Sequence, residues 1–249
     1  MNGDDEISFK STDRKLNILI PVYNEEDSVL FILTELNEVR KLLPEVQIIV
    51  INDGSEDRTA HILNNNRDLF DKLISLKLNM GKGWAIKEGL KAVREGYVLI
   101  QDADLEYSPN DIPRLWEIVL SHSAGVVASS RFNGPQVTRV HYFFHKIGNR
   151  FITLCFNLLH NTTFTDIYSG YLLFDSSLID PDKLFFKRWG QQAEMLSMLV
   201  KSRCSVYEIP INYFGRTYAE GKKIRASSIF SVVFATVITR MRRVSIKQI

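Results

Sequence analysis

Tyr97-Val98-Leu99-Ile100-Gln101-Asp102-Ala103-Asp104 begins as an apolar run and ends on two carboxylates one residue apart. A short apolar run that stops at polar residues reads as a buried strand. Two earlier runs have the same form. Leu16-Asn17-Ile18-Leu19-Ile20 leads into Pro21-Val22-Tyr23-Asn24-Glu25, and residues 46–51 lead into Asn52-Asp53-Gly54-Ser55. Residues 73–78 and 125–129 read as two further strands. The segments between them have helical spacing. Val29, Leu30, Ile32, Leu33, Leu36, Val39 and Leu43 form one broad apolar face, with Asn24 as the expected cap and Glu25, Glu26 and Asp27 near the positive helix end. Residues 56–66 and 81–95 read as helices, and Ser108-Pro109 opens another that runs to about residue 121. Strands alternating with helices imply a Rossmann-like, doubly wound, mainly parallel sheet, in which ligands gather at the carboxyl ends of the strands. Residues 21–25, 53–55 and 102–104 all belong at that end, which points to one shared site.

The second half is less regular. Residues 140–159 read as an apolar helix, 171–174 as a strand, 191–202 as a helix, 205–213 as a strand and 229–243 as a terminal helix. The expected organisation is a flexible N-terminus over 1–15, one α/β domain over 16–225, and a C-terminal amphipathic helix with a basic tail over 226–249.

The 249 residues, 45% hydrophobic and 24% charged, exclude a disordered or collagenous chain. The net charge of +2 conceals two opposed halves. Residues 1–124 carry 14 Lys+Arg against 22 Asp+Glu, and residues 125–249 carry 17 against 7. An acidic half suits a cation, and a basic half suits anions other than nucleic acid, which the composition gives no reason to invoke. Cys155 and Cys204 form no metal-binding spacing. The polar, acidic first twelve residues do not read as a signal peptide. The longest uncharged stretches, 151–165 and 226–239, would reach roughly 21–23 Å as helices, short of the ~30 Å hydrocarbon core. Each suits either a core helix or a helix lying on a membrane surface.

Asp102 and Asp104, at a strand end, supply the hard oxygen ligands that Mg²⁺ or Mn²⁺ prefers. Asp53 reads either as a turn residue or as an acceptor for a base or ribose. Asn79-Met80-Gly81-Lys82-Gly83 places glycines and a lysine at a helix start, a setting for phosphate or simply an easy helix entry. It lacks P-loop spacing, and no dinucleotide-binding glycine pattern follows the first strand.

Together these stretches, with Ser129-Ser130-Arg131-Phe132, Thr165-Asp166-Ile167-Tyr168-Ser169-Gly170-Tyr171 and Gly215-Arg216-Thr217-Tyr218-Ala219-Glu220-Gly221-Lys222-Lys223, resemble the family-2 glycosyltransferases of GT-A fold. Within them, the likeness is to the dolichyl-phosphate mannosyltransferase and polyprenyl-phosphate glycosyltransferase group, over residues 16–243. The resemblance implies an inverting, metal-dependent transfer of mannose or glucose from GDP-mannose or UDP-glucose to dolichyl or undecaprenyl phosphate. It assigns Pro21, Tyr23, Glu25, Ile51, Asp53, Asp102 and Ala103 to the nucleotide, and Asp102 and Asp104 to Mg²⁺ or Mn²⁺. Asp104, Arg131 and Asp166 are the implied catalytic residues, and Lys146, Arg216 and Lys222 the implied phosphate and acceptor contacts. It also implies work on the cytosolic face of a membrane, with a membrane subunit as a further partner. Many such relatives are rich in Glu where this chain reads Gly190-Gln191-Gln192-Ala193-Glu194, leaving Glu194 as the acid there. Two other readings stand beside this one: a soluble enzyme of the same fold that glycosylates a saccharide hydroxyl, and a nucleotide-binding module without transferase activity.

Overall fold

The computed structural model describes residues 14–43, 45–132, 143–187, 190–215 and 228–242. Seven strands form one sheet in the order β3-β2-β1-β4-β6-β5-β7. β1 (Leu16–Val22), β2 (Val46–Asn52), β3 (Lys72–Ser75) and β4 (Tyr97–Ile100) are parallel. β6 (Leu172–Asp175) runs antiparallel between β4 and β5 (Val126–Ser130), and β7 (Val206–Pro210) lies parallel to β5 at the edge. The chain winds outward from β1 to β3 and then returns to place β4 on the other side of β1. Loops that leave β1 and β4 therefore diverge, and a crevice opens at their carboxyl ends.

Alternation along the strands divides the core into two layers. Leu16, Ile18, Ile20, Ile48, Val50 and Leu99 face α1 (Val29–Arg40) and α4 (Ile112–His122), where Ile32, Leu36, Leu115 and Trp116 meet them. Leu19, Ile49, Ile51, Val98 and Ile100 face the other layer. There they meet α3 (Lys82–Ala92), α5 (Phe143–His160), α6 (Gln191–Lys201) and α7 (Ser228–Met241). α2 (Thr59–Asn65) packs beside α1. The mainly parallel α/β sheet expected from the sequence is present, with β6 as its reversed strand.

Local differences have physical causes. Asn24 does not cap α1; the helix starts after Ser28, with no acidic residue in its first turn. Asn24 instead adopts φ 53°, donates its amide to Ser55 Oγ at 3.1 Å and accepts the Glu56 amide at 2.8 Å. It binds the loop after β1 to the loop after β2. The strand expected over 73–78 ends at Ser75, because the chain then turns toward Gly54 and Asp53 and leaves Leu78 exposed. The helix start at Ser108 is a 3-10 turn, Pro109–Asp111, with Ser108 Oγ accepting the Asn110 amide at 3.3 Å before α4 begins.

Gly54 is required where those loops meet. Its φ is +68°, and a Cβ there would lie 2.6 Å from the Leu78 carbonyl carbon and 2.7 Å from the Asn79 nitrogen. Gly54→Ala should therefore lower stability by about 1–3 kcal/mol, read as a lower urea midpoint. An unchanged midpoint would show that the 78–80 segment yields freely.

Candidate active site

At the crevice lies a cavity of about 550 Å³, bounded by the ends of β1, β2, β4 and β5. Pro21, Tyr23 and Glu25 come from the first loop and Asp53 from the second. Asn79, Gly81 and Lys82 come from the start of α3; Asp102, Ala103, Asp104, Glu106 and Tyr107 follow β4; Arg131 follows β5. Tyr168, Gly170, Gln192 and Tyr213 also line it.

Asp53 is buried, and its carboxylate accepts the Met80 amide at 2.9 Å and the Gly81 amide at 2.7 Å. It thereby fixes the N-terminus of α3. From that terminus Lys82 Nζ reaches Asp102 Oδ1 at 2.5 Å. Asp104 Oδ1 accepts the Glu106 amide at 3.2 Å. Burial, then the neighbouring charges of Asp102 and Glu106, push the Asp104 carboxyl from 3.8 up to about 7. The loop after β4 is thus crowded with negative charge, which Lys82 offsets in part.

Arg131 is the buried cation of the site, at 7% exposure. Asp166 holds it in a fork, Nε to Oδ2 at 2.7 Å and Nη2 to Oδ1 at 2.9 Å. Burial works against the charged guanidinium, but Asp166, through its charge and hydrogen bonds, together with Tyr107 and Tyr213, outweighs it, so Arg131 titrates well above its usual range and stays ionised. Asp166 itself is held from β7, where Glu208 accepts the amides of Thr165 and Asp166 at 3.0 Å and 3.1 Å. An aromatic group closes this side. The Tyr107 ring lies 5.4 Å from that of Tyr171 and 5.2 Å from that of Tyr213, and Tyr213 donates its hydroxyl to Glu106 at 2.9 Å. A Cβ on Gly170 would come within 2.4 Å of the Tyr107 ring, so only glycine lets the 166–170 crossing lie against it.

Of the residues assigned from the sequence, Pro21, Tyr23, Glu25, Asp53, Asp102, Ala103, Asp104 and Arg131 come together on the cavity wall. Ile51 does not. It is fully buried among the residues facing α3, because the pleat of β2 turns it away from the crevice. Asp166 stands behind Arg131, with which it pairs, and is not part of the lining. Lys146 is exposed on α5 and is not part of the lining. Arg216 and Lys222 lie outside the described residues. Glu194 is buried away from the cavity; it accepts the Phe185 and Phe186 amides at 2.9 Å each and pairs with Arg242 at 3.2 Å. Tyr168, Gln192 and Tyr213 were not singled out as site residues from the sequence. Tyr213 ends a strand-like stretch with nothing to set it apart, and its bridge to Tyr107 is a long-range pairing.

The sequence profile described as Glycosyl transferase family 2 matches residues 17–179, which include every strand of the crevice. The chain belongs to that family. It is a glycosyltransferase, and its fold is GT-A. Among similar proteins is the UDP-N-acetylglucosamine–dolichyl-phosphate N-acetylglucosaminyltransferase of Methanococcus voltae, 26% identical over 93% of this chain and 98% of that protein. Another is the undecaprenyl-phosphate 4-deoxy-4-formamido-L-arabinose transferase of Yersinia pestis (strain Pestoides F). It is 32% identical over 59% of this chain, and the match spans 45% of that longer protein. A crystal structure of glucosyl-3-phosphoglycerate synthase from Mycobacterium tuberculosis in complex with Mn²⁺, UDP and phosphoglyceric acid superposes with a TM-score of 0.68. It is 17% identical and covers 94% of this chain and 81% of its own, a likeness of fold.

Two outcomes are expected in the glycosyltransferase itself. Asp166→Asn leaves Arg131 buried without its counter-charge and should cost about 3–5 kcal/mol in urea unfolding. The double variant Arg131→Met/Asp166→Leu should regain most of that stability. Equal loss in both would mean that the charge pair is not the cause. The second concerns pH. Asp104 is raised in the folded state, so its contribution is full below about pH 4 and lost as pH rises through about 7. In chelator, the thermal midpoint of wild type should therefore fall progressively below that of Asp104→Asn across this window. A constant difference would contradict the crowded-carboxylate geometry.

Proposed function

We propose that this glycosyltransferase moves a sugar, with inversion, from a nucleoside-diphosphate donor to a polyprenyl phosphate at a membrane surface, using a divalent cation. The observation that carries the reading is the sharing of one cavity by the Asp102/Asp104 pair and a buried, permanently charged Arg131.

The residues present fit Mg²⁺ or Mn²⁺. Asp102 and Asp104 are hard oxygen donors, their surplus charge raises Asp104, and an ammonium already rests on Asp102. Two carboxylates would leave the ion's remaining positions to the donor's diphosphate. Bound there, the ion would offset the charge that grows on the departing nucleoside diphosphate. The rest falls to the chain. Asp53 and the 79–81 loop shape the nucleotide end. Lys82 brings a cation to the start of α3, where amides and ammonium suit a phosphate. Arg131, locked by Asp166, holds an anionic acceptor in line behind the anomeric carbon.

A phosphate acceptor is already an anion near neutrality, by analogy with a phosphomonoester second pKa of about 6, so it needs cations and no obligatory base. Lys146, Arg216 and Lys222 remain the proposed additional acceptor contacts. The donor is proposed as a UDP- or GDP-linked hexose or N-acetylhexosamine. The Methanococcus relative, whose length this chain spans almost entirely, supports including UDP-N-acetylglucosamine beside UDP-glucose and GDP-mannose.

The deciding experiment is a donor panel against polyprenyl phosphate and against free saccharides, with Mg²⁺ or Mn²⁺ and the product anomer read by NMR. Inverted lipid-linked product supports the proposal, and product on saccharides alone rejects it. Asp104→Ala should lower turnover at least about a hundredfold with the fold intact. Undiminished turnover would reject the metal role.

A further inference from the structure

The exposed face of α5 is unlike the rest of the surface. Phe143, Ile147, Phe151, Leu154 and Leu158 recur at helical spacing and are between 48% and 76% exposed. They form a continuous apolar stripe of roughly 22 Å at 1.5 Å per residue. The opposite face is committed to the core, with Ile152, Thr153 and Phe156 buried. The stripe therefore does not arise from a loosely packed helix. Lys146 and Arg150 stand exposed beside it, and neither α5 nor α7 contains an Asp or Glu. α7 lies against α5 and adds exposed Phe230. Among the described residues no helix is long and apolar enough to cross a membrane.

We infer that α5 is the element by which this glycosyltransferase rests on an anionic lipid bilayer, its apolar stripe in the acyl boundary and Lys146 and Arg150 at the headgroups. An apolar stripe with basic flanks is the pattern of a helix lying in the interface plane. Charge selects the bilayer over a second copy of the chain. A two-fold pairing of α5 with itself would set Lys146 and Arg150 near their own copies with no acid on either helix, whereas anionic headgroups oppose them. The sequence left both 151–165 and 226–239 open as core or surface helices; of the two helices that carry them, α7 buries Val232, Ala235, Thr236 and Thr239 in the protein, whereas α5 leaves a whole stripe exposed. The placement also serves chemistry. The Ile167 amide donates to Thr153 Oγ1 at 3.4 Å, which ties α5 to the segment whose Asp166 holds Arg131. This deepens the reading above, in which the acceptor is anchored in a membrane.

The test is co-sedimentation of the full chain with vesicles of phosphatidylcholine alone and of phosphatidylcholine with phosphatidylglycerol. Binding to the mixed vesicles, weakened by salt, is expected. Phe151→Ser/Leu158→Ser should reduce it about tenfold or more while leaving the thermal midpoint and turnover on a short-chain, water-soluble prenyl phosphate unchanged. Wild type that fails to sediment, or a double variant that binds as well as wild type, overturns the inference. So does a wild-type dimer in sedimentation velocity that the variant converts to monomer without any vesicle binding. If vesicle binding behaves as expected but no prenyl phosphate is used, the acceptor reading falls and the role of α5 stands.

Discussion

The ion pair between Arg131 and Asp166 is the constraint on which the second half of the structure depends. It lies where β5 ends and where the chain crosses back to begin β6. Its members are buried, so neither charge is tolerable without the other. Around it the same crossing is fastened again: Ser130 to Thr165, Ser129 to Ser169, and Glu208 of β7 to the amides of Thr165 and Asp166. β5, β6 and β7 are thus held together at one end by polar contacts and along their length by backbone pairing. The cation that faces the cavity is set by the same contacts.

The other side of the cavity is built from an opposite excess. Asp102, Asp104 and Glu106 follow a fully buried strand, and Lys82 is brought to them by a helix whose start is locked to Asp53. The acidic and basic halves of the sequence therefore meet inside one crevice, as well as on the surface. A near-zero sum was the least informative way to state that charge.

Most of the first half was legible in the sequence because its signals are local. Apolar runs of strand length alternate with helical faces, and the polar residues that end the strands reach the site through sheet geometry alone. Asp102, Asp104, Asp53 and Tyr23 could be placed for that reason. Ile51 could not, since the direction of one side chain depends on a pleat that a strand apolar on both faces from Ile48 to Ile51 does not reveal. Tyr213 was hidden for a different reason: its contacts are with Tyr107 and Glu106, far along the chain. Glu194 stood out as an acid, but its pairing with the distant Arg242 did not. The stripe on α5 was visible as apolar residues, but not which of its two faces the protein itself covers.

The order of the sheet also governs how the chain is assembled. The first four strands join by local crossovers and can pair as soon as residue 100 is made. β5 is made next, yet it has no place beside β4, because β6 must lie between them. Until residues 172–175 emerge, β4 is an open edge with unpaired backbone groups, and β5 and the apolar α5 wait without a sheet to join. During synthesis the acidic side of the crevice is therefore complete before the strand that carries its arginine can dock.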